Sequence, residues 1–403
     1  MPGAASDILV AGAGIAGLTA ALAFAGRGFS VSVYERAPQL VEVGAGLQLS
    51  PNATRLLDRL GLGKALRAVA VRPEAIVLRR ASSGRRIARV PLDGAALQRW
   101  GSDYLVVHRA DLQAVLRDAV TAHPSIRLHL GHAVEAVHET PGGVTLELRS
   151  TEGAGAANGQ LLVGADGVWS RLRAGMGGDS CLPAGHTAWR TVVSRDAPGA
   201  AGLDADVVTA FLDARFHLVA YPVRGGRELN LVAITPDRAG TAIPADGQWA
   251  TAVDLARLHE ALSGAGPLLR SLTGAATEWT AWPLVEVSGD ASWRKGRLVL
   301  IGDAAHAMTP HAAQGAGMAI EDAWMLAARV AGAAGDLASA LARFEAERRP
   351  RVERARRRGR FNRFVWHAWG PVALGRDVVL GLRPEVAVAA DFDWLYGWRP
   401  EEA

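Results

Sequence analysis

The apolar positions begin with a short continuous run, Asp7–Ala11, followed by a glycine-rich turn, Gly12–Gly17, an alanine-rich stretch, Leu18–Gly26, and a β-branched run, Ser30–Tyr34. Short apolar runs bounded by turn residues predict buried strands, and the longer Ala/Leu stretch between them predicts a crossover helix, so the chain opens on a βαβ unit. Helices are predicted over Asn52–Leu60, with Ser50-Pro51 at its start and Gly61 just past its end, and over Ala110–Ala122, after the turn His108-Arg109. From Ile126 to Leu148 alternating segments are separated by Gly131 and Gly142-Gly143, which predicts a small antiparallel excursion before the run Leu161–Gly164 re-enters the main sheet. Alternating segments between Thr187 and Thr235, among them His217–Val223 and Leu229–Ile234, predict a second sheet. The run Arg297–Ile301 then reads as a buried parallel strand and Gln314–Ala331 as a helix, so the chain returns to its first domain. Ala338–Arg360 reads as a helix kinked or broken at Pro350, with Glu345/Arg349, Glu347/Arg351 and Glu353/Arg357 at the i,i+4 spacing.

A chain of 403 residues, 49% apolar and 21% charged, has the composition of a globular protein and exceeds what one core organises. Its formal charge of +4 comes almost wholly from arginine, since Lys64 and Lys295 are the only lysines. That is a compositional habit, not a nucleic-acid footprint, and no nucleic-acid partner is expected. The arginine run Arg354–Arg360, with Phe361, Phe364 and Trp366 after it, follows glutamates and reads as a solvated helix face whose aromatics pack inward. Cys181 is the single cysteine, which excludes an internal disulfide and suits a reducing, cytoplasmic setting. No secretory signal is read in Met1–Asp7. The stretches Leu18–Ala25 and Val372–Leu382 are too short or too interrupted to predict a membrane span.

Three ordered motifs carry the chemistry. Gly12-Ala13-Gly14-Ile15-Ala16-Gly17, between a predicted strand and helix, permits a tight turn, close backbone approach to a pyrophosphate and close helix packing. Glu35, at the end of the next strand, is placed to accept hydrogen bonds from a ribose diol, and its charge disfavours a 2′-phosphate, so the resident nucleotide is expected to be FAD or NAD. The other two motifs are Gly164-Ala165-Asp166-Gly167 and Gly302-Asp303-Ala304-Ala305-His306, the latter followed by Pro310 and Gln314-Gly315-Ala316-Gly317.

These three motifs together resemble the class A flavoprotein hydroxylases, the family of p-hydroxybenzoate hydroxylase, salicylate hydroxylase and 3-hydroxybenzoate 6-hydroxylase. The resemblance implies an α/β fold in which a Rossmann-like FAD-binding domain (1–75, 101–178 and 286–345) is interleaved with a β-sheet substrate domain (76–100 and 179–285), with residues 346–403 as C-terminal helices and tail. It implies Asp303 at the ribityl hydroxyls, Asp166 near the pyrophosphate and the nicotinamide path, Arg109 at the phosphate side, and Glu35 with Arg36 at the nucleotide. Gly302, Pro310, Gly315 and Ala316 would border the flavin, where the helix opening at Gln314–Gly317 aims backbone N–H groups at the ring. Val43–Asn52 is similar to the family's flavin-edge loop, with Gln48 either reaching the ring or satisfying local backbone.

The His217-x-x-x-Tyr221-Pro222 pattern places two side chains on one face of a predicted strand and resembles the substrate-domain strand of 3-hydroxybenzoate 6-hydroxylase and 6-hydroxynicotinate 3-monooxygenase. There the pair helps deprotonate and orient the substrate; His311 resembles a ring-pocket histidine, while His306 is read as structural. The activity implied is NAD(P)H- and O2-dependent monooxygenation of a small hydroxylated aromatic or heteroaromatic acid through a flavin C4a-hydroperoxide, with NAD(P)H as a transient co-substrate because no second GxGxxG unit follows. Arg190 is a candidate carboxylate partner. Two other readings stay open: an epoxidase or hydroxylase of a larger polyketide or quinone ring, and a non-oxygenase flavoprotein, dehydrogenase or binding module. The aromatic tail Asp393–Trp398 either covers the site, forms a homodimer interface or pins itself down by burial.

Overall fold

The computed structural model describes residues 6–40, 46–177, 181–237 and 254–401. Numbered in chain order, the first sheet holds β1 (Ser6–Ala11), β2 (Val31–Glu35), β7 (Ile126–Leu130), β8 (Ala133–Thr140), β9 (Gly143–Ser150), β10 (Gly153–Gly164), β16 (Arg294–Lys295) and β17 (Leu298–Leu300). Its main path runs β16-β17-β10-β1-β2-β7. The pairs β17/β10, β10/β1, β1/β2 and β2/β7 are parallel. The expected antiparallel excursion therefore begins one strand later than the alternation suggested, since Ile126–Leu130 joins the parallel sheet at its edge. The excursion is β8, β9 and the first half of β10, whose residues 153–159 pair antiparallel with β9 before the same strand turns parallel to β1.

The helix Ile15–Ala25 is buried on nearly every side because it lies between the sheet and the helix Gly315–Ala331, and its Ala and Gly content lets both approach closely. By contrast the helix Arg109–Ala122 buries a stripe, Leu112, Leu116 and Val120, at the four-residue spacing of a surface helix.

The second sheet runs β15 (Thr280–Glu286), β11 (Leu182–Ser194), β14 (Glu228–Pro236), β13 (His217–Val223), β12 (Val207–Leu212), β4 (Ala75–Arg80) and β5 (Arg86–Pro91). A two-stranded ribbon, β3 (Gly46–Leu49) with β6 (Leu105–His108), lies beside it. Side chains alternate along β13: Leu218 and Ala220 enter a separate core with Phe211, Trp189, Leu231 and Leu269, while Tyr221 joins the core of the first sheet. One face of the second sheet is thus turned to the first domain.

Leu337–Trp366 is one continuous helix that runs through Pro350 without a break. Only Glu345/Arg349 of the three expected pairs forms, at 2.5 Å. Arg351 turns inward to the fully buried Glu321, Glu347 meets Arg329 and Arg343, and Glu353 meets Arg360. A buried carboxylate requires a counter-charge, and that demand outweighs a surface pair worth a few tenths of a kcal/mol, on the order of 0.3. Phe361 and Phe364 are 56% and 67% exposed, contrary to the expected inward packing. The inward stripe is Val352, Ala355, Gly359 and Asn362, which puts Phe361 on the opposite side of the helix. Among the described residues no helix is long and apolar enough to cross a membrane.

Candidate active site

At the end of β1, Gly12 adopts φ +103°, and a Cβ there would stand 2.4 Å from the carbonyl oxygen of Ala165 at the end of β10. A Cβ on Gly17 would stand 1.9 Å from the carbonyl oxygen of Gly12. Both glycines are therefore required by backbone approach. Gly14 differs: nothing lies within 4 Å of its would-be Cβ, and no side chain caps the helix that begins beyond it. That open space against uncapped N–H groups suits a pyrophosphate. Glu35 holds the turn from below, accepting Ala13 N–H at 2.8 Å and Ala37 N–H at 2.9 Å, one on each oxygen, which leaves lone pairs for a ribose diol. Gln113, which carried no signal in the sequence, donates to the carbonyl of Ala13. Arg36 is exposed, and Arg109 is half-buried at the start of the helix that His108 caps. Gly17→Ala is expected to displace the loop and yield protein depleted of flavin, read as flavin absorbance per protein after purification; full occupancy would contradict the backbone contact.

Asp166 follows β10 beside this loop; its Oδ2 accepts Leu172 N–H at 3.2 Å, while its buried Oδ1 has no partner. Gly302, at φ +58°, follows β17, and a Cβ there would press at 3.1 Å on both Ala16 and Ala319. Ala16 is thus a packing residue whose small size lets the two helices meet over Gly302. Asp303 is exposed. Pro310 opens a single turn that ends at Ala313, a non-glycine residue at φ +50°, and this bend delivers Gln314 to the start of the helix Gly315–Ala331. No side chain caps that helix; Gly315 and Ala316 are partly buried in its first turn, and Gln314 donates to Ser50 at 3.0 Å. An orphaned buried carboxylate oxygen, an unfilled space at Gly14, two uncapped helix starts and an exposed aspartate together fit a dinucleotide carrying a pyrophosphate and a polyol.

Beneath these loops lies a fully buried ionic network. Asp322 accepts Gly302 N–H at 3.0 Å and pairs with His306 at 2.5 Å, and Arg348 bridges Asp322 (2.7 Å) and Glu321 (2.5 Å). Glu321 also accepts from Asn52 at 2.7 Å and from Arg351. Burial raises both carboxyls and the arginines beside Glu321, with His306 and Arg348 beside Asp322, reverse it, so each ends below its ordinary range. His306 is engaged here, away from the proposed chemistry.

On the facing side of the second sheet, register puts His217, Val219 and Tyr221 of β13 in line with Ile234, Val232 and Asn230 of β14, then with Ala188, Arg190 and Val192 of β11. Tyr221 lies against the ribbon: a Cβ on Gly46 would stand 2.4 Å from its ring, and Gly46 N–H donates to Asn230 at 2.6 Å. Gly46→Val is expected to push Tyr221 and Asn230 off the ribbon and to raise KM for the aromatic substrate that the resemblance implies by about tenfold, one 1.4 kcal/mol step; an unchanged KM would show the contact to be slack. Val43–Ala45, the first part of the expected flavin-edge loop, lie outside the described residues. Gln48 accepts from Tyr104 at 2.7 Å, so its carbonyl serves a neighbouring side chain. Tyr104 in turn packs edge-on to Tyr396, and Arg55 clasps the carbonyls of Trp398 and Trp100. The C-terminal tail thereby reaches the ribbon through one buried tyrosine pair.

His217 and His311, both 1% exposed, stand with ring centroids 5.2 Å apart, and neither ring nitrogen of His311 has a partner. Two histidines that the sequence did not single out complete the group: His367, at 5.1 Å from His217, and His186, at 5.8 Å from His311. They come from a helix end and a different strand, so no spacing marks them. Among the described residues no group of three or more His, Cys, Asp or Glu forms a metal site. Burial pushes His217 well below its ordinary range, with His311, His367 and His186 adding to it. It pushes His311 down to about 3 and His367 to about 4. Burial raises the Tyr221 phenol, with Arg190 opposing. At neutral pH His217, His311 and His367 are therefore neutral imidazoles, and the Tyr221 phenol keeps its proton and can donate a hydrogen bond. Unfolded histidines bind a proton near pH 6.5 that these do not, so stability is full above that value and falls as pH drops toward about 4. Melting temperature is expected to decline over that window, and less steeply in His311→Asn; identical slopes would remove His311 from the account.

The family model described as "FAD binding domain" matches residues 5–359. The chain is 34% identical to 3-hydroxybenzoate 6-hydroxylase 1 of Aquipseudomonas alcaligenes over 97% of this chain and 98% of that protein. It is 36% identical to the 3-amino-4-hydroxybenzoate 2-monooxygenase PtnB3 of Streptomyces platensis, over 97% and 96%. Among solved structures, Klebsiella pneumoniae HpxO complexed with FAD and uric acid superposes with a TM-score of 0.82 at 27% identity, covering 97% of this chain and 96% of that one.

Proposed function

Because the chain belongs to the FAD-dependent aromatic hydroxylases that carry this FAD binding domain, we propose that it hydroxylates a small aromatic or heteroaromatic acid bearing a ring hydroxyl, using NAD(P)H and O2. The observation that carries the substrate class is the meeting of the neutral, buried His217 and His311 at the face of β13 that also carries Tyr221 and is turned toward the first domain.

Bound FAD supplies hydride acceptance from NAD(P)H and the activation of O2. Gly12, Gly14 and Gly17 would form its pyrophosphate cradle, with Ala16 packing the helix behind it, Glu35 and Arg36 would meet the nucleotide end, and Arg109 and Asp166 would flank the phosphates. Asp303 would accept from the ribityl hydroxyls, while Gln48, Gly302, Pro310, Gly315 and Ala316 would border the ring. His217 accepts the proton of the substrate's ring hydroxyl, because an ionised ring is the more electron-rich and the easier to oxygenate. Tyr221, on the same face four residues along β13, donates a hydrogen bond that orients the substrate away from the ionised oxygen, and His311, with both nitrogens unused, orients the ring. Arg190 shares the β11 position in register with Val219 and suits the substrate carboxylate as a fork donor.

The test is stopped-flow reduction of the yellow protein by NADH or NADPH with 3-hydroxybenzoate, 3-amino-4-hydroxybenzoate or 6-hydroxynicotinate, followed by isotopically labelled dioxygen. One compound is expected to accelerate reduction strongly and to gain a single labelled oxygen atom. Reduction indifferent to every compound, with hydrogen peroxide as the sole product, would overturn the reading.

A further inference from the structure

The site continues beyond His217. Its Nδ1 lies 2.9 Å from Nε2 of His367, the residue at the C-terminal cap of the helix Leu337–Trp366. A hydrogen bond between two neutral imidazoles fixes their tautomers, because one ring must present N–H and the other a bare nitrogen. For His217 to accept a proton at Nε2, its own proton must sit on Nδ1 and point at a bare Nε2 of His367, whose proton is then on Nδ1.

The surroundings give that arrangement a direction. His217 is 1% exposed, whereas His367 is partly exposed. The charged or titratable groups facing the two rings are His311 from the Pro310 turn, His186 from β11 and Arg363 from the same helix as His367; the Trp366 indole packs edge-on to His217 at 4.9 Å. Among the described residues no carboxylate acts on either ring. A proton arriving on His217 meets no counter-ion and little water, so a cation held there is costly, and the ring that reaches solvent is the better place for it.

We propose that His367 is the outer member of a two-imidazole relay that carries the substrate's ring-hydroxyl proton from His217 to solvent; this rests on the aromatic-hydroxylase reading above. The substrate O–H bond breaks and its proton joins Nε2 of His217. The Nδ1 proton of His217 passes to Nε2 of His367, and the Nδ1 proton of His367 leaves to water. One proton enters the solvent, the substrate keeps the electron pair as its oxyanion, and nothing is oxidised or reduced. The pair resets when the path runs backward: the Nε2 proton of His217 passes to the product's oxyanion, the Nε2 proton of His367 returns to Nδ1 of His217, and water returns a proton to Nδ1 of His367. His367 acts through His217 and does not itself touch substrate, so it is a positioning residue for the proton.

The test mixes oxidised holoenzyme with 3-hydroxybenzoate in weak buffer containing a pH indicator and follows proton release by stopped flow. The wild type is expected to release about one proton per flavin. His367→Gln keeps an amide against His217 but cannot carry a proton; it is expected to bind the ligand within about twofold of wild type and release the proton about tenfold more slowly or worse. Added imidazole is expected to restore the rate in His367→Ala. Should these variants fail to hold FAD, a proton inventory of the wild-type release in mixed light and heavy water decides: a curved plot means two protons in flight, and a linear one overturns the relay. Release as fast in His367→Gln as in wild type overturns it too, as does hydroxylation by a wild type that releases no proton. A wild type that hydroxylates none of the three acids overturns the relay together with the reading beneath it.

Discussion

His217→Asn is expected to lower kcat by a factor of about 10² to 10⁴, the range that a positioned general base contributes. The ring stands on β13 with its Nδ1 engaged by His367, which leaves Nε2 for the substrate. Asparagine preserves a polar group of similar reach but cannot accept a proton at neutral pH. A phenolic hydroxyl with a tyrosine-like pKa near about 10 then remains protonated in the site, and the neutral ring is a poor nucleophile. The defect should shrink as pH approaches that value and the substrate ionises unaided. Flavin content and KM are expected to change little, because the cofactor loops are elsewhere. The check is product formation against pH for both proteins; parallel profiles with equal kcat would show that His217 moves no proton.

Arg348→Met is expected to cost about 3–5 kcal/mol of folding free energy, the loss typical of removing one partner from a buried ionic cluster. Arg348 is 1% exposed and bridges Glu321 and Asp322, both 0% exposed, so its removal leaves two carboxylates in the core with Arg351 and His306 as their remaining ion-pair partners. The change is a large part of the stability a domain of this kind has, roughly 5–15 kcal/mol. It also reaches the cofactor, since Asp322 holds Gly302 N–H and Glu321 holds Asn52. Guanidinium unfolding should show a lower midpoint together with weaker FAD retention. Arg348→Lys is expected to recover only part of the loss, because a point ammonium cannot serve both carboxylates as the guanidinium fork does. An unchanged midpoint in Arg348→Met would mean the network relaxes into another arrangement.

Near-neighbour chemistry made much of this legible beforehand. The glycine turn, Glu35 at its strand end and the later Gly-Asp motifs each depend on residues a few positions apart, where backbone conformation and charge are read directly. His217 and Tyr221 share a face because a strand alternates with period two, and the second sheet keeps that alternation. The strand Ile126–Leu130 was harder, because an alternating pattern reports a half-buried edge and says nothing of whether its neighbour runs parallel. The arginine helix misled for a related reason: i,i+4 spacing offers a partner, but Arg351 finds a better one on another helix.

The sequence by itself determined the family, the dinucleotide loop, the two-sheet α/β plan and the candidate residues whose roles follow from local spacing. Only the tertiary structure decided that four histidines from a strand, a second strand, a turn and a helix end meet at one place, and that the buried Arg348 ties the cofactor loops to the long helix. Those contacts join residues as far apart as His217 and His367, 150 positions along the chain. No periodicity spans such a distance; the pairing is set by strand register and helix packing, which exist only once the apolar faces have been buried together.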